Sequence, residues 1–222
     1  MQRLRITFSR GGELKHITHL DLMRLWQRVL RRADIPLIYS QGFSPHPRIS
    51  LAAPLAIGVT SNSELMDIYL ERRFSPHFFI KSVKEQLPVG IDILEVSEAG
   101  VMLPSLQSQL RFAEYKITVD ADKKPKEVEA AIRSLLSSDS LPWQHTRDKE
   151  IRKYDLRALI EDIWLIESNP PEYTIGMRLR CDSAGTGRPE QVASALGFAN
   201  PPKSIHRTKL ILEKQVKAAA LR

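Results

Sequence analysis

Cysteine is almost absent from this chain: among its 222 residues there is only Cys181. A lone thiol closes no internal disulfide, supplies no cysteine-rich zinc site and holds no iron–sulfur cluster, which takes three or four thiolates. Long apolar runs are missing too. No stretch approaches the roughly 18–20 consecutive apolar residues of a membrane span, and the arginines of Met1-Gln2-Arg3-Leu4-Arg5-Ile6 lead into no apolar signal core. Together these absences predict a cytoplasmic protein. A polybasic tail is also lacking, so the basic excess is spread over both halves.

What is present is a globular composition. Hydrophobic residues make up 42% and charged residues 27%, which argues against a mainly disordered chain. The net charge of +7 and pI near 9.6 suit an anionic partner such as RNA, although many proteins with this balance bind none.

Hydrophobic periodicity divides the chain into two similar halves. Residues 3–8 alternate basic and apolar side chains at a strand period and close on Arg10-Gly11-Gly12. Thr18 is the predicted N-cap of a helix carrying Leu22, Leu25, Trp26, Val29, Leu30 and Ala33 at helical spacing, with Asp21 three residues after the cap. After Pro36 come a short strand over 37–39, a proline-rich loop, an apolar run over 49–59 and a strand over 64–70. A helix opening at Ser75-Pro76 and a strand over 91–96 complete β-α-β-β-α-β.

The second half repeats that order, with strands over 110–119, 156–166, 173–181 and 204–213 and helices after Pro125 and Pro189. The expected fold is therefore α+β, with two tandem ferredoxin-like domains built on antiparallel sheets. Its predicted parts are a first domain over 1–100, a linker over 101–108, a second domain over 109–214 and a C-terminal tail over 215–222.

Candidate chemistry concentrates in the first half. On a wheel of about 100° per residue, Arg24, Arg28, Arg31 and Arg32 form a basic ridge opposite the apolar face, with Asp21 on the same side. Such a ridge can track phosphates through guanidinium contacts, or it can be a solvated face with Asp21 and Arg24 paired. His16 and His19 flank the helix start, where the dipole favours neutral imidazole. With Asp21 and His46 they are the candidates for acid/base chemistry, and a His/His/carboxylate metal set is conceivable, though no tight ligand motif is present. No metal and no cofactor are expected.

The loop Ser40-Gln41-Gly42-Phe43-Ser44-Pro45-His46-Pro47-Arg48 is the most informative stretch. Pro45 and Pro47 fix φ on either side of His46 and push the residues before them toward extended backbone. Gln41, Ser44, His46 and Arg48 bring donors and acceptors without a strong nucleophile, which suits recognition better than covalent catalysis.

The motifs His16-Ile17-Thr18-His19-Leu20-Asp21, Gln41-Gly42-Phe43-Ser44-Pro45-His46-Pro47-Arg48 and Leu55-Ala56-Ile57-Gly58-Val59 resemble the bacterial radical-SAM-linked protein family. Further likeness runs through Lys153-Tyr154-Asp155-Leu156-Arg157 and Gly185-Thr186-Gly187-Arg188-Pro189, with Thr18 standing where that family carries serine. The resemblance implies a domain of unassigned activity, alone or fused behind a cobalamin-binding radical SAM enzyme. It therefore implies a radical SAM enzyme as partner.

The second half offers weaker candidates. Gly185-Thr186-Gly187 before Arg188 can cradle phosphate, but it matches neither the P-loop nor the dinucleotide fingerprint. The segment 147–157 interleaves arginine and lysine with Tyr154 after Trp143 and His145, a mixture suited to phosphate contact and base stacking. The expected function is an accessory protein that binds tRNA or rRNA and works with a radical SAM enzyme. Two alternatives stand beside it: an RNA-processing nuclease or transferase with a histidine general acid/base, and a protein-interaction module without nucleic acid.

Overall fold

A computed structural model describes residues 1–147 and 150–213, and the predicted tail over 215–222 lies outside them. The backbone gathers into two compact units, Met1–Leu110 and Arg111–Arg222. Each is a mixed α+β body on an antiparallel sheet, and among the described residues there are five α-helices. No described helix is long and apolar enough to cross a membrane.

The first unit runs β1 (Gln2–Arg10), α1 (His19–Arg32), β2 (Ile49–Leu51), β3 (Thr60–Leu70), α2 (Pro76–Lys84), β4 (Ile93–Ala99) and the short α3 (Leu106–Gln109). Its strands lie in the order β2-β3-β1-β4, every neighbouring pair antiparallel. The alternation read in β1 decides which way its side chains face. Leu4, Ile6 and Phe8 are fully buried under α1, where Phe8 meets Trp26 edge to face with ring centroids 4.9 Å apart. Leu22, Trp26, Val29 and Leu30 are the buried stripe of α1, whereas Leu25 is only partly covered.

On the opposite face of the sheet, β1 presents Arg3 and Arg5 to Asp67 of β3. Arg3 is buried and donates from Nε (2.9 Å) and Nη2 to Asp67 Oδ2, while Arg5 Nε reaches Oδ1 at 2.9 Å. The remaining Arg3 donors bind the carbonyls of Leu103 (2.8 Å) and Pro104 (3.0 Å). This ties down the stretch 101–108, which composition suggested as a linker. Its end instead forms α3, with Leu106 buried and Gln107 Nε2 donating to the Leu51 carbonyl at 2.7 Å.

Two further expectations are corrected here. Residues 37–39 make only isolated bridges, Leu37 with Leu70 and Tyr39 with Pro47. Of the apolar run 49–59, only Ile49–Leu51 pairs in the sheet, because the chain turns away through Ala53, Pro54 and Gly58. That turn is anchored by the buried Arg10, whose Nη2 donates to the carbonyls of Ala56 (2.8 Å) and Val59 (3.0 Å), and by Gly58 N–H donating to the Lys15 carbonyl at 2.7 Å. Gly58 has φ +85°, and a Cβ there would meet no atom within 4 Å, so backbone strain alone penalises a side chain. Gly58→Ala is expected to cost about 1 kcal/mol in a urea unfolding titration.

The second unit comprises β5 (Leu110–Asp120), α4 (Pro125–Ser137), β6 (Pro142–Arg147), β7 (Glu150–Asp155), β8 (Ile160–Asn169), β9 (Glu172–Asp182), β10 (Gly185–Thr186), α5 (Pro189–Ala195) and β11 (Ser204–Leu212). Its order is β8-β9-β5-β11, with β10 paired to the end of β9. β9 alternates as its sequence suggested, burying Tyr173, Ile175, Met177, Leu179 and Cys181. On the other face Gly176 leaves room for Trp164 of β8, which lies across it, and a Cβ would come within 2.2 Å of the indole. The segment 147–157, whose basic and aromatic residues stood out in the sequence, contributes to a β6-β7 hairpin, and β8 begins at Ile160 after a 3-10 turn.

Candidate functional site

A surface cleft of the first unit joins two of the stretches singled out in the sequence. Arg24, Gln27, Arg28 and Arg31 of α1 form one wall, and Tyr39, Pro45, His46 and Pro47 form the other, around about 330 Å³. The helix supplies its arginines at a spacing that stacks them on one side. The opposing wall is fixed by its backbone: Ser40 N–H donates to the His46 carbonyl at 2.8 Å, and His46 N–H donates to Ser40 Oγ at 3.0 Å. The prolines on either side stiffen this pairing. His46 is thereby held, exposed, in the same cleft as Arg24, Arg28 and Arg31.

The electrostatics of the cleft are lopsided. Arg24 has only a loose partner in Asp21, at 3.5 Å between two exposed side chains, a pair worth little against solvent screening. Arg28 and Arg31 have no acidic partner among the described residues. Cations left unneutralised around a concave surface, with an imidazole and a phenol ring facing them, can receive an anion and a flat ring together.

The other sequence candidates lie elsewhere. Asp21 is engaged at the helix start, where Thr18 Oγ1 accepts from its N–H at 3.2 Å and donates to Oδ2 at 2.6 Å. That hydroxyl, followed by Arg24, holds the Asp21 carboxyl below the usual carboxylate range. His19 opens α1, five residues or about 7.5 Å of helix rise before Arg24, and does not line the cleft. Its Nδ1 is enclosed with no hydrogen-bond partner among the described residues. Nor do His16, His19, His46 and Asp21 gather as the conceivable metal set, since among the described residues no group of three or more His, Cys, Asp and Glu side chains is placed to hold an ion.

Arg32 points to a neighbouring groove beside Leu25, Arg28, Glu85 and Leu87, so the ridge is divided between two surfaces. Gln41 and Ser44 are exposed on the loop but outside the cleft. Arg48 lies over the Tyr69 ring, 4.3 Å from its centroid, with its backbone bound to Ile38. Arg188 belongs to a separate pocket of the second unit. Tyr39 and Gln27 are the cleft residues that sequence reasoning missed, and the Tyr39 bridge to Pro47 was visible only as an ambiguous short strand.

Comparison with known proteins adds a family and a fold likeness. A family model described as "Uncharacterized protein conserved in bacteria (DUF2344)" matches residues 3–189. No curated protein matches the chain by sequence. Among solved structures, the chain is similar to one described as "Crystal Structure of a Cbf5-Nop10-Gar1 Complex", with a TM-score of 0.53 and 10% identity over 93% of this chain and 48% of that one. A second, "Structure of H/ACA RNP bound to a substrate RNA containing 2'-deoxyuridine", aligns with a TM-score of 0.49 and 11% identity over 93% and 47% of the two chains. The chain thus spans about half the length of the chains it matches. At this identity the likeness is one of fold.

Proposed function

The chain belongs to this bacterial family of uncharacterized proteins, and from that premise we propose that it is an accessory RNA-binding protein which takes tRNA or rRNA in the cleft between α1 and the Pro45-His46-Pro47 loop. The observation that carries the reading is the convergence of Arg24, Arg28 and Arg31 on Tyr39 and His46 in one concave surface. Guanidinium groups three and four residues apart on a helix meet successive phosphates, and the facing rings supply stacking surfaces for an unpaired base. Arg32, Gln41, Ser44 and Arg48 border this surface as secondary contacts, with the exposed Phe43 at the loop tip.

In the same reading each unit is a ferredoxin-like domain. Support comes from the order β2-β3-β1-β4 in the first unit and β8-β9-β5-β11 in the second, each with a helix following its first strand and another preceding its last. A radical SAM enzyme as partner rests on the sequence resemblance, and it gives this chain, with its single buried Cys181, the substrate-presenting role. The decisive measurement is a mobility shift against total bacterial tRNA and rRNA fragments at two salt concentrations. Salt-sensitive binding at or below micromolar protein is expected. Its absence, with the radical SAM enzyme still co-purifying after ribonuclease treatment, would establish the protein-interaction module instead.

The geometry of His46 favours one second reading. An imidazole facing three arginines has the parts of an acid/base group with a phosphate clamp, as a nuclease or transferase acting on RNA requires. RNA cleavage that survives His46→Ala undiminished would remove this reading.

A further inference from the structure

The second unit carries a pocket of its own, assembled from the two stretches that the sequence flagged separately in that half. The β6-β7 hairpin brings His145, Arg152 and Tyr154, the end of β9 brings Arg180, and the turn around β10 brings Gly185 and Thr186. Arg188 and Gln191 close it, around about 400 Å³, within the range of sites for small ligands. From this arrangement we propose that the pocket binds a nucleoside monophosphate, free or as the terminal nucleotide of an RNA chain.

Three features support a ligand with one anionic end and one flat end. The first is charge. Arg180 is held by Asp182, with Nε 2.9 Å from Oδ2, while Arg152 and Arg188 have no acidic partner among the described residues. Asp182 is also occupied by the N–H groups of Ala184 and Gly185. Asp155 is turned to the backbone, accepting from Leu141 N–H at 2.8 Å and Arg157 N–H at 2.9 Å, and it forms no salt bridge with Arg152 or Arg188 among the described residues. Two free guanidinium groups on separate elements form a clamp suited to a phosphate monoester.

The second feature is the shape of the turn. A Cβ on Gly185 would meet Leu159 at 2.6 Å, and one on Gly187 would meet Leu179 at 2.8 Å and the Leu159 carbonyl at 2.9 Å. Glycine therefore lets the turn pack tightly against Leu159, which itself lines the pocket with the arginines. The third is the wall opposite. Tyr154 donates its hydroxyl to Gln191 Oε1 at 2.5 Å, leaving the Gln191 amide N–H groups as donors, and burial pushes the phenol pKa up so that it stays protonated. His145 stands edge-on to Tyr154, with ring centroids 5.6 Å apart, and neither of its ring nitrogens has a hydrogen-bond partner among the described residues.

The proposal is independent of RNA binding at α1, and it is tested on the full chain by calorimetric titration with UMP and AMP, using uridine, adenosine and inorganic phosphate as controls. Saturable binding of at least one nucleotide is expected, weakened tenfold or more both by removing the phosphate and by the Arg152→Ala/Arg188→Ala pair. Both arginines are exposed, so the variant should keep the thermal melting profile of the parent. Nucleoside binding as tight as nucleotide binding, phosphate binding as tight as either, or a variant with unchanged affinity would each overturn it. Competition between UMP and an RNA oligonucleotide carrying a terminal phosphate, compared with one lacking it, separates the free ligand from the chain end. Arg24, Arg28 and Arg31 substitutions should leave this titration unchanged.

Discussion

Asp67→Ala is expected to destabilise the first unit by about 3–5 kcal/mol, the cost of leaving a buried charge without its partner. Asp67 is fully buried between Arg3, itself buried, and Arg5, and it is the only acid paired with either in a salt bridge among the described residues. Removing it strands one guanidinium inside the protein and a second at its edge. The damage extends further along the chain, because the oriented Arg3 side chain also holds the carbonyls of Leu103 and Pro104. In urea the unfolding midpoint of this unit should fall by about 2 M, taking a slope near 2 kcal/mol per molar. Asp67→Asn should recover part of the loss by keeping an acceptor. The apolar combination Arg3→Met/Asp67→Leu should recover more than Asp67→Ala, since it removes the desolvation penalty along with the attraction. A loss below 1 kcal/mol for Asp67→Ala would show that water reaches the arginines and that the network is not a structural centre.

The second large effect concerns binding. With the RNA reading, Arg24→Ala/Arg28→Ala/Arg31→Ala should weaken affinity about a hundredfold, on the order of 1 kcal/mol for each exposed charge-assisted contact. The same variant should flatten the slope of log affinity against log salt by about 2, because each phosphate contact on a single strand contributes roughly 0.7. The pairing of these two readouts matters. A misfolded variant loses affinity without a defined change in slope, whereas loss of three ionic contacts changes both together. All three arginines project from the exposed side of α1, and the core residues Leu22, Trp26, Val29 and Leu30 lie on the other side, so folding should be preserved. An unchanged slope would move the RNA surface away from this helix.

Helix α1 and strand β9 were legible because their apolar spacing is long and regular: Leu22, Trp26, Val29 and Leu30 at helical intervals, and Tyr173 to Cys181 at alternate positions. The short pieces were not. A three-residue β2 carries too little periodicity to be distinguished from its neighbours 37–39, and both sit between prolines. The β6-β7 hairpin escaped notice because its alternation is masked by charge around Arg152, Lys153 and Tyr154.

By itself, the sequence determined the α+β character, helix α1 with its N-cap at Thr18, strand β9 and the existence of a basic face, because each depends on spacing within a few residues. Tertiary structure alone decided which of those features meet. It set His46 against Arg24, Arg28 and Arg31 while leaving His19 and Asp21 at the helix start. It buried Arg3 on Asp67, where the alternation of β1 had suggested only a basic strand face. It also brought the Arg152 and Arg188 segments into one pocket. Such meetings depend on strand register and loop closure between residues far apart in the chain, and local periodicity carries no information about either.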